Sequence, residues 1–520
     1  MNALQPPGEI ARRIVPGAAG GLASLAVAIL LARQTDAPFL GTILTDGSTS
    51  ILSTQGFSTF LDIVGPAGKT AALAATITLQ FICYTALWAW AAGRLRPNAG
   101  WEQRREFAAI QLGIVFALFV AAAAVIDLVA QVSVLDSGRW GTYLWQMLLL
   151  TALYVAISHA VDAAWAGYRP RRPRPIRGSA LSRRRFLVGS STFGISIVAA
   201  VYLGHNVWDT TRAGVRRVIR GRLPDPVTSN ADFYTVSKNF FDPPVDGDSW
   251  RLEVGGLVDN KLTLTLDEVR ALPGEESMNT LMCISYALGA GAGRDQLISN
   301  ARWGGTSLRT VLDLAGVQPE ATHVIFNSAD DYLESHRLEY VMDPEVRLVW
   351  EMNGEPLPVA HGYPLRLLAP GRYGIKNPKW ITRIILTSRN VLGFWQQRGW
   401  SEEGRIQTMS RIDVPAGGQR TVPGNERVQG IAFAGDRRIA AVEVSTDDGA
   451  TWSAAALRDE LDPLAWRFWS FNFDATPTEH LLAVRAVDGD GVPQIAEIQP
   501  ALPDGSTGYH RRRLLAPRDT

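Results

Sequence analysis

Cysteine is nearly absent: Cys83 and Cys283 are the only two in 520 residues. So few exclude a disulfide scaffold. They also exclude an iron–sulfur cluster held by this chain alone, which usually takes four thiolates. No Cys-x-x-Cys-His segment is present, so a covalently attached c-type haem is excluded as well. A dominant charge is lacking too. The 51 Lys and Arg against 50 Asp and Glu leave a net charge of +1, and nothing points to nucleic acid or an acidic polymer as a partner. Mean hydropathy is close to zero, but only as the average of two unlike parts. The first two-fifths are rich in Ala, Leu, Val and Ile, and the rest has the mixed composition of a globular protein.

A membrane-spanning helix needs about 20 largely apolar residues. Five stretches are candidates: about Gly17 to Leu31, Thr70 to Ala92, Phe107 to Val129, Tyr143 to Trp165 and Phe186 to Leu203. The first is short and Gly-rich. Basic residues cluster before the first stretch (Arg12, Arg13), between the second and third (Arg94, Arg96, Arg104, Arg105) and between the fourth and fifth (Arg169 to Arg185). By the positive-inside rule these fall on one side. The expectation is a multi-pass anchor over residues 1–210 in the cell membrane, with the chain after residue 204 on the extracytoplasmic side. Ser182-Arg-Arg-Arg-Phe-Leu187 resembles a twin-arginine export signal in an internal position. His159 and His205 sit near opposite ends of this arrangement, which argues against a shared haem.

Residues 211–228 read as a linker containing Pro-Asp-Pro. Beyond it, short strand-like runs alternate with short helical stretches, which suggests an α+β domain over 229–405. Thr265 is the expected N-cap of a helix with a Leu266/Val269 face. From 406 to 512, apolar strands such as Gln429 to Ala434 alternate with turn clusters such as Asp488-Gly-Asp-Gly491. That texture predicts an Ig-like β-sandwich, followed by a tail at 513–520.

Cys283 stands out chemically. It ends the apolar run Thr280-Leu-Met-Cys283 and precedes a loop rich in Gly and Ala from Gly289 to Gly293. Such a loop allows close backbone approach, and a soft thiolate beside it suits a redox metal. From position alone an inert buried cysteine is the favoured reading, and the local sequence argues against it.

Cys283 is one of seven segments that together resemble the sulfite oxidase family of molybdopterin-dependent enzymes, over about 225–512. Asn230 to Tyr234 is similar to the family's opening segment against the pterin, and Cys283 to its single molybdenum-ligating cysteine. Ile298-Ser-Asn-Ala-Arg302-Trp303-Gly-Gly, Phe326 to Asp330, His361-Gly-Tyr-Pro-Leu-Arg366 and Pro370 to Trp380 follow in the family's order. Val444 to Trp452 resembles a signature of the C-terminal sandwich that often mediates dimerisation. The resemblance implies a molybdenum held by a dithiolene and by the Cys283 thiolate. It implies transfer of an oxygen atom to or from a small substrate, with cycling between Mo(VI) and Mo(IV). The electrons pass singly to a separate electron-transfer protein or quinone-linked partner.

The implied cofactor-binding residues are Asn230, Phe233, Tyr234, Cys283, Ser328, Asp330, His361, Arg366, Asn377, Pro378 and Lys379. Arg366 and Lys379 would meet the cofactor phosphate, and His361 and Asp330 the pterin. Trp303 and Trp380 read as core. Arg302 stays open between structural and active-site use, and is carried as catalytic together with Cys283 and Trp400. The sulfite pocket is altered. Val236 and Lys238 stand near the place of one family arginine. Ile284-Ser-Tyr replaces the basic triplet after the cysteine. Trp400 replaces an active-site tyrosine. These losses open the way to a less charged oxide such as a sulfoxide. Two alternatives accompany the oxygen-transfer reading: repair of methionine sulfoxide, and a non-catalytic membrane scaffold.

Overall fold

The computed structural model describes residues 7–34, 80–90, 108–115, 140–167, 222–238, 242–287, 296–416, 418–421 and 423–516, with the isolated helical positions 78 and 106. The chain divides into two compact units. One holds the N-terminal helices. Helix α1 (Pro7–Gln34) contains Pro16, and α2 (Trp140–Gly167) follows. Residues 80–90 and 108–115 are helical. Ala19 and Ala23 of α1 pack against Ile157 and Val161 of α2. The helices approach closely: a Cβ on Gly20 would meet Ser158 Oγ, and one on Gly17 would meet Trp88 Cβ.

The expectation of five membrane spans is corrected here. Among the described residues no helix is long and apolar enough to cross a membrane. The physical reason is visible in α2, which carries Gln146, Thr151, Ser158 and Asp162, all buried. Some of the polar groups are partnered between helices, while Ser158 Oγ and Trp88 Nε1 are buried without a hydrogen-bond partner among the described residues. Ser24 Oγ donates to Leu150 O at 3.1 Å, Tyr154 OH to Tyr84 O at 2.6 Å, and His159 Nε2 lies 3.1 Å from Gln111 Oε1. The fifth expected span, the Arg-rich segment before it and the twin-arginine-like sequence lie outside the described residues. The multi-pass anchor, the extracytoplasmic placement, the membrane as partner and the membrane scaffold rested on those spans and are withdrawn with them.

The second unit runs from 242 to the C-terminus with 217–238 added. Its first sheet contains β1 (Arg251–Gly256), β2 (Leu262–Thr265), β5 (His323–Ser328), β6 (Leu333–Arg337) and β10 (Ile381–Thr387), in the order β2-β1-β10-β5-β6. Only the β1–β10 pair is parallel within it. Short helix α3 (Leu266–Arg270) begins with a capping box. Thr265 Oγ1 accepts from Glu268 N at 3.2 Å, and Glu268 Oε2 accepts from Thr265 N at 2.8 Å. Helix α4 (Leu308–Ala315) buries Leu308, Val311, Leu312 and Ala315, one face at helical spacing. These side chains join Leu252, Val254, Phe326 and Ile384 in one core.

The second sheet contains β3 (Glu275–Met282), β4 (Ile298–Ser307), β7 (Arg347–Met352) and β8 (Glu355–Pro356), with β9 (Arg366–Leu368) on β7. Two four-stranded antiparallel sheets follow. One is built on β11 (Met409–Val414), β12 (Gly424–Phe433), β15 (Ala456–Leu457) and β16 (Arg467–Ala475). The other is built on β13 (Ile439–Ser445), β14 (Ser453–Ala454), β17 (His480–Asp488) and β18 (His510–Leu514). Ile412, Val428, Val442, Trp469 and Val484 form the core they share. A further core ties the cleft region to this sandwich: Phe233, Tyr234, Cys283, Trp303 and Tyr373 cluster with Phe433, Trp466 and Phe468.

Candidate active site

Strand β3 delivers Cys283 to the floor of a cleft, one residue past its last paired position. The backbone there is fixed. Cys283 N donates to Leu297 O at 2.9 Å, and its carbonyl accepts from Tyr286 N at 2.9 Å. The thiol is buried, and neither cysteine is in a disulfide. The cleft is open to solvent, and about 710 Å³ of space not filled by protein, open solvent included, lies in and over it.

Phe233 and Tyr234 form one wall. Their rings stack at 5.5 Å, and Phe233 meets Trp303 and His361 edge-on. Burial holds the Tyr234 hydroxyl well above the usual phenol range; Cys283 adds to this and Arg366 opposes it.

His361 ends a short turn, and its Nε2 lies 2.9 Å from Asn230 O. Gly362 follows with φ +115°, where a Cβ would press on Arg366 Cβ and Lys379 Cβ. Glycine therefore lets these two cations sit side by side at the cleft. Arg366 Nη1 donates to His361 O at 2.9 Å, and its guanidinium lies 5.1 Å over the Trp303 ring. Burial lowers its pKa to about 10, which leaves it charged at neutral pH. Among the described residues no carboxylate pairs with it, and its Nε has no hydrogen-bond partner. Lys379 Nζ donates to Ser237 Oγ at 2.6 Å and to Ala360 O at 2.9 Å.

Asp330 also lines the cleft, where Oδ1 accepts from Tyr332 N at 3.1 Å. Burial raises its carboxyl, against the pull of Lys238 and Lys379. Ser328, at the end of β5, is buried with an unpartnered Oγ.

Most of the expected cofactor residues therefore gather in one place. Phe233, Tyr234, Cys283, Asp330, His361, Arg366, Asn377, Pro378 and Lys379 all line the cleft. The Asn377 side chain is committed to structure, accepting from Ala369 N at 2.7 Å and donating to Tyr373 O at 2.9 Å. Asn230 lies off the cleft lining, with its side chain between Met352 O, Glu355 and Asn353. Arg302 is 53% exposed and pairs with Glu276 at 3.0 Å, away from the cleft. Trp400 is packed in the core, and Trp395 stands at the cleft instead. Tyr332, Val236 and Lys238 line it as well.

Ser328 lies off the cleft lining. A buried thiol and a buried guanidinium with an unpartnered Nε suit a large anionic ligand with a metal at one end. These residues fit molybdopterin. The comparisons agree. Residues 240–395 match the oxidoreductase molybdopterin binding domain, and residues 406–504 the Mo-co oxidoreductase dimerisation domain. Chicken sulfite oxidase is 30% identical over 341 residues, 54% of this chain and 72% of that one. Mitochondrial sulfite oxidase of Drosophila melanogaster is 30% identical over 323 residues, 52% of this chain and 55% of that one. A subunit named for protein-methionine-sulfoxide reduction in Azospira oryzae is 34% identical over 157 residues, 30% of this chain and 56% of that one. Among solved structures, the sulfane dehydrogenase SoxCD of Paracoccus pantotrophus shares the fold, with a TM-score of 0.50 and 23% identity over 57% of this chain and 85% of that one.

The chain spans a little over half the length of the mitochondrial sulfite oxidases it matches. It belongs to the sulfite oxidase family of molybdopterin-dependent oxidoreductases. Molybdopterin is the cofactor of that class, and the scaffold reading is set aside.

Proposed function

We propose that this chain carries out sulfite-oxidase-type oxygen-atom exchange with a small substrate in the cleft over Cys283. The observation that carries this reading is the meeting of Cys283 with Arg366, a buried cation lacking a carboxylate partner among the described residues, in one cleft. When bound, the cofactor supplies the two-electron oxygen-atom transfer. The protein's own residues hold and orient it. The Cys283 thiolate ligates the metal. Arg366 and Lys379 neutralise the phosphate end, with Arg366 fixed by His361 O and Lys379 by Ser237. His361 and Asp330 offer hydrogen bonds to the pterin, and the Phe233–Tyr234 wall keeps water from one side. Electrons leave or enter one at a time through a separate carrier protein. The sandwich at 406–504 serves contact with a second copy of the chain.

A neutral oxide is the second reading of the substrate. It is favoured by the wall itself: Val236, Tyr332, Ile375 and Trp395 line the cleft, while Arg302 is turned to Glu276. Lys238 is the cation at this wall beyond Arg366 and Lys379. The test compares sulfite oxidation with ferricyanide as acceptor against sulfoxide reduction with a reduced viologen as donor. Turnover in the first assay supports the anionic substrate, and turnover in the second the neutral oxide. Neither, with molybdenum and pterin bound, would overturn the reading.

A further inference from the structure

A second cavity lies next to the cleft in the fold, and the two share a hydrogen-bonded connection. The second cavity is polar, and its lining includes Glu334, Ser335, His336, Arg372, Lys376 and Gln396. Tyr332 lines the first cavity, and Glu334 and Lys376 line the second. The Tyr332 hydroxyl has two acceptors in reach, Ile375 O at 2.5 Å and Glu334 Oε2 at 3.3 Å. Glu334 Oε1 takes Lys376 Nζ at 2.6 Å and Ser335 N at 2.8 Å. Lys376 Nζ also donates to Ser335 O at 2.6 Å. The Glu334 side chain is fully buried and that of Lys376 is 5% exposed.

A buried ion pair is seldom worth its desolvation in stability alone. Ser335 Oγ and Gln396 Oε1 are buried without partners at the second cavity, as expected where polar groups meet ordered water.

We propose that Tyr332, Glu334 and Lys376 form a proton path between the molybdopterin cleft and this second cavity. The inference rests on the oxygen-transfer reading. Oxidation of a substrate by that chemistry consumes one water and releases two protons and two electrons. The electrons leave to a one-electron acceptor, and the protons must reach solvent although cofactor and substrate fill the cleft. A proton arrives at the Tyr332 oxygen from the cleft as the O–H of Tyr332 passes its own proton to Glu334 Oε2. The Glu334 O–H then breaks in favour of cavity water, and Lys376 stabilises the restored carboxylate. Substrate reduction runs the same transfers in reverse. Glu334 never touches substrate, so it is a positioning and relay residue.

Glu334 contacts Tyr332 and Lys376 directly, and the titratable and charged groups lining the second cavity around it are His323, His336, Arg337, Glu339, Tyr340, Arg372, Glu402 and Glu403. Burial raises the Glu334 carboxyl while Lys376 draws it down.

The test uses the molybdenum-loaded enzyme with Glu334→Gln, Glu334→Asp and the double variant Glu334→Gln/Lys376→Met, which keeps no unpaired charge. Infrared difference spectra on electrochemical reduction, without substrate, should show a D2O-sensitive carboxyl change that is lost in both Gln variants and retained in Glu334→Asp. In turnover, kcat should fall about 100-fold with KM within two-fold, and a small external acid should restore part of the loss. An infrared spectrum unchanged by Glu334→Gln overturns the path whether or not the wild type turns over. Equal kcat in wild type and the folded double variant also overturns it and leaves the oxygen-transfer reading standing. A wild type inactive in both sulfite oxidation and sulfoxide reduction removes that reading, and the infrared result then still decides the path.

Discussion

Arg366 Nη1 donates to the carbonyl of His361 at 2.9 Å, while the His361 ring lies 2.9 Å from Asn230 O. One hydrogen-bonded turn thus aims a buried guanidinium at the cleft, with no carboxylate paired to it among the described residues. Such a charge is costly in the empty protein and useful once an anion is bound. Replacing Arg366 with Met should therefore leave the cofactor-free protein as stable as before, or more so by about 1 kcal/mol. The same change should strip most of the pterin. Thermal unfolding of the cofactor-free form, together with pterin fluorescence after oxidation, measures both.

Arg302 behaves differently. Its side chain is half exposed and paired with Glu276. Exposed pairs contribute little, so Arg302→Ala should cost less than about 1 kcal/mol and leave molybdenum content and kcat unchanged. Denaturant titration and metal analysis check this. A large loss of kcat would return Arg302 to the active site.

These two arginines show what the sequence could reveal. The cofactor cleft was legible because its residues lie in short local blocks, each carried on one turn or strand end. Arg302, left open between structural and active-site use, is placed by strand geometry. Neighbours on a strand face opposite ways, so with Trp303 fully buried in β4, Arg302 must point outward. Trp395 and Trp400 are five residues apart across a turn ending at Gly399, where φ is +83°, and nothing local says which indole meets the cleft. Glu334 and Lys376 carry no motif, and only the fold brings them to 2.6 Å. The N-terminal region was legible as helix in α1 and α2. Its apolar composition was read as lipid contact, whereas Ala19, Ala23, Ile157 and Val161 bury it against other helices.

Lys238 supplies the added positive charge at the apolar cleft wall. Lys238→Met should raise KM for sulfite about ten-fold, the loss of one charge contact, and leave KM for a neutral sulfoxide within two-fold. Steady-state kinetics on both substrates decides it. Equal effects on the two would remove Lys238 from substrate recognition.

Acid should weaken the sandwich through His510. Burial, with Arg512 and Arg411 nearby, holds this imidazole well below its usual range, and Nδ1 accepts from Ile412 N at 2.9 Å. A depressed folded pKa means the stability is complete above the unfolded value near 6.5 and declines as pH falls below it. The slope is at most about 1.4 kcal/mol per pH unit for one proton. Denaturation between pH 7 and pH 5 should show this decline, and His510→Asn should flatten it.

The most direct test of the central claim is the metal's ligation, compared in purified wild type and Cys283→Ser. Elemental analysis, pterin assay and X-ray absorption at the molybdenum edge are measured together. Wild-type protein should carry about one molybdenum and one pterin per chain, with one protein sulfur on the metal beyond the dithiolene pair. In the variant that sulfur is lost, kcat falls by at least about 100-fold, and the fold is unchanged. The same sulfur count and undiminished turnover in Cys283→Ser would contradict that claim.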